Sequence, residues 1–276
     1  MTETTVQAPL RYLVYTGEKP IYVASKGGAD AQLDIRADFE THSVTLHDAR
    51  LRSPVPALDQ QGFELRRHPT GIADFYDDRE RWIDDYEREI EALLLEATGA
   101  EAVHIFDHTL RSDSSGVRGD RDSREPATVI HNDYTDASAA RRVRDLLPEN
   151  QAAHWLAGRY AIVNTWRSVA GPVLTTPLAC CDATTLATGD LVASERRAEE
   201  RIGELELVSW NPDHRWYYYP AMERDEVLLI KTFDSALDGR ARRSIHSAFD
   251  NPLAEANAPP RESIESRALI YFGTTG

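Results

Sequence analysis

The chain of 276 residues reads as a mainly β protein with flanking helices, an antiparallel barrel or sandwich rather than a doubly wound α/β fold. Two observations predict this. Short runs rich in β-branched and aromatic residues, separated by turn residues, dominate the second half. The helical segments are few and lie early, with no βαβ alternation. Hydrophobic residues at 41% and charged residues at 28% suit a chain with a real core, which argues against disordered, collagen-like and disulfide-framework classes.

Residues 1–60 alternate apolar and polar positions at 11–15 and 43–47 and are broken by Gly27-Gly28, Pro54 and Pro56, the pattern of strands and turns. Between 77 and 98, Trp82, Ile83, Tyr86, Ile90, Leu93, Leu94 and Ala97 recur every three or four residues. Gly99 stands where a C-cap glycine belongs, so this is a helix. A strand is expected at 102–106. The stretch 107–124 is rich in Asp, Ser, Arg and Gly and poor in apolar residues, which predicts a mobile loop bordering a site. Residues 127–134 read as a strand and 138–147 as a short helix ended by Pro148. Strands follow at 160–166, 205–210, 216–219, 227–233 and 268–272. The chain shows no internal repeat.

With 31 basic and 46 acidic residues the net charge is −15 and the pI about 5.0. That field repels nucleic acid and anionic membranes, so binding to either would need a local basic patch. Two adjacent cysteines, Cys180 and Cys181, make no disulfide framework, and no run of about 18 apolar residues exists. The N-terminus lacks a charged region followed by an apolar block. These features predict a cytoplasmic protein.

The sharpest local feature is Thr128-Val129-Ile130-His131-Asn132-Asp133-Tyr134. On a strand, His131 and Asp133 face the same side. An imidazole and a carboxylate so placed can ligate one metal ion, and a second histidine would complete a facial triad with open positions, as oxygen activation requires. A surface strand can carry the same pair for solubility, so the pair alone does not decide. Several histidines compete for the third place. His104 and His108 are four apart in a segment of strand character, His154 lies near a helix end, and His214 lies in a turn. His246, well beyond Asp133 and shortly before the last strand, stands where the distal ligand of a double-stranded β-helix is placed.

The order His131-x-Asp133, then His246, then an arginine at the head of a terminal strand resembles the Fe(II)/2-oxoglutarate-dependent oxygenases. More narrowly, the chain resembles their CmcJ/AsaB-type hydroxylase/desaturase family. The likeness rests on Asn164-Thr165-Trp166-Arg167, on Pro177-Leu178-Ala179 with Asp182, and on His214-Arg215-Trp216-Tyr217-Tyr218-Tyr219-Pro220. It extends to Asp225–Lys231 with Asp234-Ser235, and to Pro260–Arg267. It covers residues 62 to 272.

The resemblance implies a double-stranded β-helix (jelly-roll, cupin-like) core at 127–272 within a single oxygenase domain, 1–276. The strands and turns of 1–60 precede that core, and helix 77–98 supports it. It implies Fe(II) held by His131, Asp133 and His246, with 2-oxoglutarate and O2 as co-substrates. The expected reaction is hydroxylation, desaturation or oxidative cyclisation of a small metabolite in natural-product biosynthesis. The C5 carboxylate of 2-oxoglutarate needs a bidentate guanidinium, for which Arg267 is the first choice and Arg261, in an Arg-x-Ser pattern, the second. Either arginine could instead pair with Glu262 or Glu265 at the surface. Asn164 is expected to donate to 2-oxoglutarate, and Trp166 and Arg167 to line the substrate side. Lys231, inside an apolar strand, needs a partner, either an anionic substrate group or Asp234.

Two other classes fit less well. An S-adenosylmethionine-dependent methyltransferase would carry a Gly-rich turn opening a helix, and no G-x-G-x-x-G occurs. A non-catalytic metal- or small-molecule-binding barrel would retain the metal ligands without turnover.

Overall fold

The computed structural model describes residues 5–121, 123–198 and 201–273. The N-terminal part contributes β1 (Thr5–Val14), β2 (Ile21–Val23), β3 (Asp34–Arg36), β4 (Asp38–Asp48) and β5 (Phe63–Arg67). Helix α1 (Ile83–Thr98) leads to β6 (Ala102–Ser112), the short α2 (Ser115–Arg121), β7 (His131–Asn132), α3 (Asp136–Leu146) and α4 (Glu149–Ala157). Then come β8 (Tyr160–Ser168), β9 (Leu178–Cys181), β10 (Leu191–Arg197), β11 (Ile202–Val208) and β12 (Trp216–Tyr218). The chain closes with β13 (Glu226–Asp234), β14 (His246–Ala248) and β15 (Glu262–Tyr271).

These strands form two sheets. The ten-stranded sheet has the order β1-β4-β12-β9-β14-β7-β11-β10-β2-β3, and the five-stranded sheet the order β5-β13-β8-β15-β6. Apart from β10–β2 and β12–β4, every pair is antiparallel, as expected where successive strands are joined without helical crossovers. The N-terminal strands are thus built into the same sheet as β9, β14 and β7.

The five-stranded sheet has two buried faces. On β8 the odd-numbered Val163 joins Val227, Leu229, Ile264 and Ala268 beneath Tyr86, Ile90, Leu93 and Leu94 of α1. The even-numbered Trp166 faces the other sheet with Leu228, Ile230, Cys180 and Tyr219. Period-2 alternation therefore decides which β8 side chains can reach a site between the sheets.

Helix α1 starts later than its periodicity suggests, because Asp78 caps a separate 3-10 turn at Arg79–Arg81 first. Gly99 ends it as expected, with a φ of 68° and its N–H on the Leu95 carbonyl. The predicted loop 107–124 is ordered differently. Its first part continues β6 to Ser112, paired residue by residue with β15, and Ser115–Arg121 is helical. Arg118 ties that helix down through the carbonyls of Gly28, Ala29 and Ser112. The terminal strand starts at Glu262 instead of 268, so Arg261 stands at its head and Arg267 lies inside it. The strand expected at 127–134 is regular over two residues only.

Candidate active site

Two sheet rules bring the site together. His131 on β7 and His246 on β14 are direct partners across an antiparallel pair, which places their Cβ atoms about 5 Å apart. Their ring centroids are 4.5 Å apart. Asp133 lies in the bend just past β7, yet its Oδ1 is 3.6 Å from Nε2 of His131. One ligand atom from each of His131, Asp133 and His246 lies within 4.8 Å of the others.

Each ligand is held from behind. His131 Nδ1 donates to the Val129 carbonyl at 2.8 Å, and His246 Nδ1 to the Ser244 carbonyl at 3.0 Å. With Nδ1 protonated, both Nε2 atoms offer lone pairs, the tautomer metal ligation needs. Gly62 lets the Arg243-Ser244 backbone approach closely. At its φ of 85°, a Cβ would lie 3.0 Å from the Ser244 Cβ and 3.2 Å from the Arg243 carbonyl. Asp133 Oδ2 accepts from Asn164 Nδ2 at 2.7 Å and Arg267 Nε at 3.2 Å, which leaves Oδ1 toward the histidines. Between them Asn132 turns away and donates to Glu206 and to the Tyr134 carbonyl, pinning the bend.

The electrostatics suit a divalent cation. Burial, helped by His246, pushes the His131 pKa down to about 4, so the imidazole is neutral at ordinary pH. Burial works against ionised Asp133, but Arg267 first, then His131 and His246, hold its carboxyl well below the usual range. Two imidazole nitrogens and one carboxylate oxygen form a donor set that suits Fe(II) with open positions.

The two arginines differ sharply. Positions 261, 263, 265 and 267 share one face as β15 begins and runs on, and Arg267 pairs in register with Asn164. Arg267 is saturated by carboxylates. It bonds Asp133, Asp107 at 2.6 Å and Glu265, and Glu265 is itself buried rather than exposed at the surface. Arg261 is 2% exposed and has no ion pair among the described residues. Its partners are neutral: Ser263 Oγ at 3.1 Å, the Thr176 carbonyl at 2.9 Å, and the Trp166 ring 4.9 Å from the guanidinium carbon. Burial and then Arg111 push its pKa down to about 9, against Asp113 and Glu265.

Asn164 and Trp166 reach this region, but the next-door Arg167 does not. Its guanidinium lies on the α1 side, bonded to His68 and 5.5 Å from the Tyr86 ring centroid. Lys231 lies on that outer side too, bonded to Asp59 and to Asp234 at 3.0 Å, so of its two expected partners Asp234 is the one present. The competing histidines are elsewhere. His108 bonds Ser266 and Glu87, His214 bonds Asp190, His154 packs on Tyr271, and His104 lies along β6 facing α1. The contribution of Asp107 has no signal in the sequence reading, and Glu265 is weighed there only as a surface partner of either arginine. The alternation Arg261-x-Ser263-x-Glu265-x-Arg267 is the signal that carries Glu265.

A family model described as "Oxidoreductase/YMDC permease-like domain" matches residues 10–271. The hydroxylase/desaturase efuI of Hormonema carpetanum is 31% identical over 259 residues, 86% of each chain. The Fe(II)/2-oxoglutarate-dependent dioxygenase nvfI of Aspergillus novofumigatus is 32% identical over 253 residues, 88% of this chain and 87% of that one. The chain belongs to the Fe(II)/2-oxoglutarate-dependent hydroxylase/desaturase family. A solved structure of the iron and alpha-ketoglutarate-dependent endoperoxidase NvfI superposes on this oxygenase with a TM-score of 0.82 at 28% identity, covering 98% of this chain and 99% of that one. The likeness identifies the two-sheet core as the double-stranded β-helix of these dioxygenases. Despite the word permease in the family description, no helix among the described residues is long and apolar enough to cross a membrane.

Proposed function

We propose that this dioxygenase binds Fe(II) through His131, Asp133 and His246 and binds the C5 carboxylate of 2-oxoglutarate at Arg261. It oxidises a small metabolite by hydroxylation, desaturation or oxidative cyclisation. The observation that carries the reading is a two-histidine, one-carboxylate set in a site that also buries a guanidinium without a carboxylate. Fe(II) with 2-oxoglutarate and O2 supplies oxidative chemistry that breaks an unactivated C–H bond while 2-oxoglutarate is converted to succinate and CO2.

The chain's own residues do the rest. The Val129 and Ser244 carbonyls hold the two imidazoles in one tautomer. Asn164 and Arg267 occupy one oxygen of Asp133 and fix which oxygen is presented. Arg261 supplies a planar two-bond contact for a carboxylate, with the Trp166 ring packed against its guanidinium. Arg267 was the stronger candidate for that contact in the sequence. Its three carboxylates make it a positioning residue for Asp133 instead.

The same proposal takes the chain as one oxygenase domain, supported by β1 and β4 sharing the sheet of β14 and β7. It places the enzyme in the cytoplasm, in natural-product biosynthesis. Two buried free cysteines support the compartment, and a relative named aspirochlorine biosynthesis protein N supports the pathway class.

Anaerobic purification, metal analysis and O2-dependent succinate formation test it together. Iron at one equivalent with succinate formed from 2-oxoglutarate is expected. Bound zinc without succinate would support the non-catalytic barrel instead.

A further inference from the structure

A cavity of about 370 Å³ opens onto the metal ligand Asp133 and is lined by Arg124, Arg142, Arg196 and Arg201 together with Phe106 and Tyr134. That is the size range of a small-molecule site. Its charge is unusual for a protein of net charge −15. The acids on its wall are already engaged. Asp107 and Asp133 bond Arg267, and Glu204 bonds Lys19. Of the five lining arginines, the four other than Arg267 are not comparably neutralised. Arg124, Arg142 and Arg196 have no ion pair among the described residues, and the Arg201 contact to Asp145 is a long one, 3.7 Å. Arg142 packs instead over the Phe106 ring at 4.6 Å, with its Nε buried and unbonded.

Guanidinia crowded this way repel one another and lack the counter-charge that partly buried cations need. Burial first, then neighbouring arginines, lower the pKa of Arg124, Arg196 and Arg201 alike. An oxyanion bridging them removes both penalties, and planar guanidinia match carboxylate and phosphate oxygens two at a time.

We infer that this cavity is the primary-substrate pocket and that the substrate carries an anionic oxygen group, carboxylate or phosphate, bound by Arg124 and Arg196. Arg142 and Arg201 complete the positive wall, and the rings of Phe106 and Tyr134 flank the carbon skeleton. The inference rests on the assignment of iron to His131, Asp133 and His246 and of 2-oxoglutarate to Arg261. Asp133 belongs both to the cavity wall and to the metal set and is what links the two, while neither histidine lines the cavity.

Saturation-transfer NMR on the full chain, loaded with diamagnetic Zn(II) and saturating 2-oxoglutarate, tests it with three probes: benzoate, phenyl phosphate and neutral benzamide. Both anions are expected to bind and benzamide not, and R124Q combined with R196Q should weaken anion binding about tenfold or more while 2-oxoglutarate binding persists. The tighter of the two anions identifies the head group. Benzamide binding equal to benzoate, or anion binding unchanged in the double variant, would overturn the inference. Should that variant fail to fold, the unsubstituted protein decides, because anion binding must fall between about 50 and about 500 mM salt as charges are screened. A flat salt response overturns the inference. R261M separates the two readings. It should lose 2-oxoglutarate and still bind phenyl phosphate. If the double variant loses 2-oxoglutarate and R261M keeps it, the cavity is the co-substrate site and both readings fall.

Discussion

Replacing Arg261 by Met keeps the aliphatic stem against Trp166 and removes the charge. Arg261 is 2% exposed, and its partners among the described residues are a hydroxyl, a carbonyl and a ring face. A bound carboxylate would therefore be its direct counter-charge, and losing one partner of a buried pair costs about 3–5 kcal/mol. At 1.4 kcal/mol per tenfold, 2-oxoglutarate affinity should fall by about 140- to 4,000-fold. Stability should move the other way or stay level, because the ligand-free fold no longer buries an unpaired charge. The Thr176 carbonyl left without a donor offsets part of that gain, about 1–3 kcal/mol. A thermal-shift titration with Mn(II) reads both effects. Ligand at 100 times its Kd stabilises the parent by about 2.7 kcal/mol, and the variant should show no 2-oxoglutarate-dependent shift over the same range. Arg261→Lys should recover little, since a point charge lacks the fork. The reasoning is refuted if Arg261→Met keeps the ligand-dependent shift while Arg267→Met, with its metal content intact, loses it.

Four further outcomes are expected. His131→Ala and His246→Ala should each purify without stoichiometric iron, whereas His104→Ala and His214→Ala should retain it by metal analysis. Asn164→Leu should bind metal about 10- to 100-fold more weakly, because Asp133 loses the donor that orients it. In metal-free protein, His131 takes up its proton near pH 4 when folded and near 6.5 when unfolded. The unfolded state then binds more protons in that window, stability falls by up to about 3 kcal/mol as pH drops from 6.5 to 4, and urea midpoints should show a shallower slope in His131→Gln. Arg118→Ala should release α2 from the Gly28 and Ala29 carbonyls and make 113–121 the first site of limited proteolysis, whereas the parent should resist cleavage there.

The sequence carried the site's chemistry better than its boundaries. His131 and Asp133 could be paired from spacing alone, since two residues along extended chain return to one side, and that survives although regular pairing stops at Asn132. The partnership with His246 depends on β7 lying beside β14, a long-range pairing that no local period encodes. The errors at 107–112 and 262–267 share one physical cause. Strand reading follows apolar alternation, and there the positions that face the site are Asp107, Thr109, Ser263, Glu265 and Arg267. A strand whose inward face is polar looks like a loop. Helix α4 shows in the sequence only at its end, near His154, and its start escapes for a different reason. Pro148 was read as the end of α3, but a proline is equally suited to the N-terminal edge of the next helix.

The same alternation explains why two arginines six residues apart take different work. Both face inward from one strand, so their sequence context hardly separates them. What separates them is what the neighbouring strands bring. Beside Arg267, β6 supplies Asp107, the bend after β7 supplies Asp133, and β15 itself supplies Glu265, so its charge is spent on orienting a ligand carboxylate. Beside Arg261 stand Thr176 and Ser263, which fix the guanidinium and neutralise nothing. The cavity holding Arg124 and Arg196 repeats the second arrangement, cations placed by the fold with their nearby acids committed elsewhere. A strongly acidic protein had ample carboxylates to cancel these charges, and leaving them uncancelled costs stability in the ligand-free state. On the proposed assignments, an oxyanion bound at each place would recover that cost, which would tie co-substrate and substrate recognition to the same charge logic.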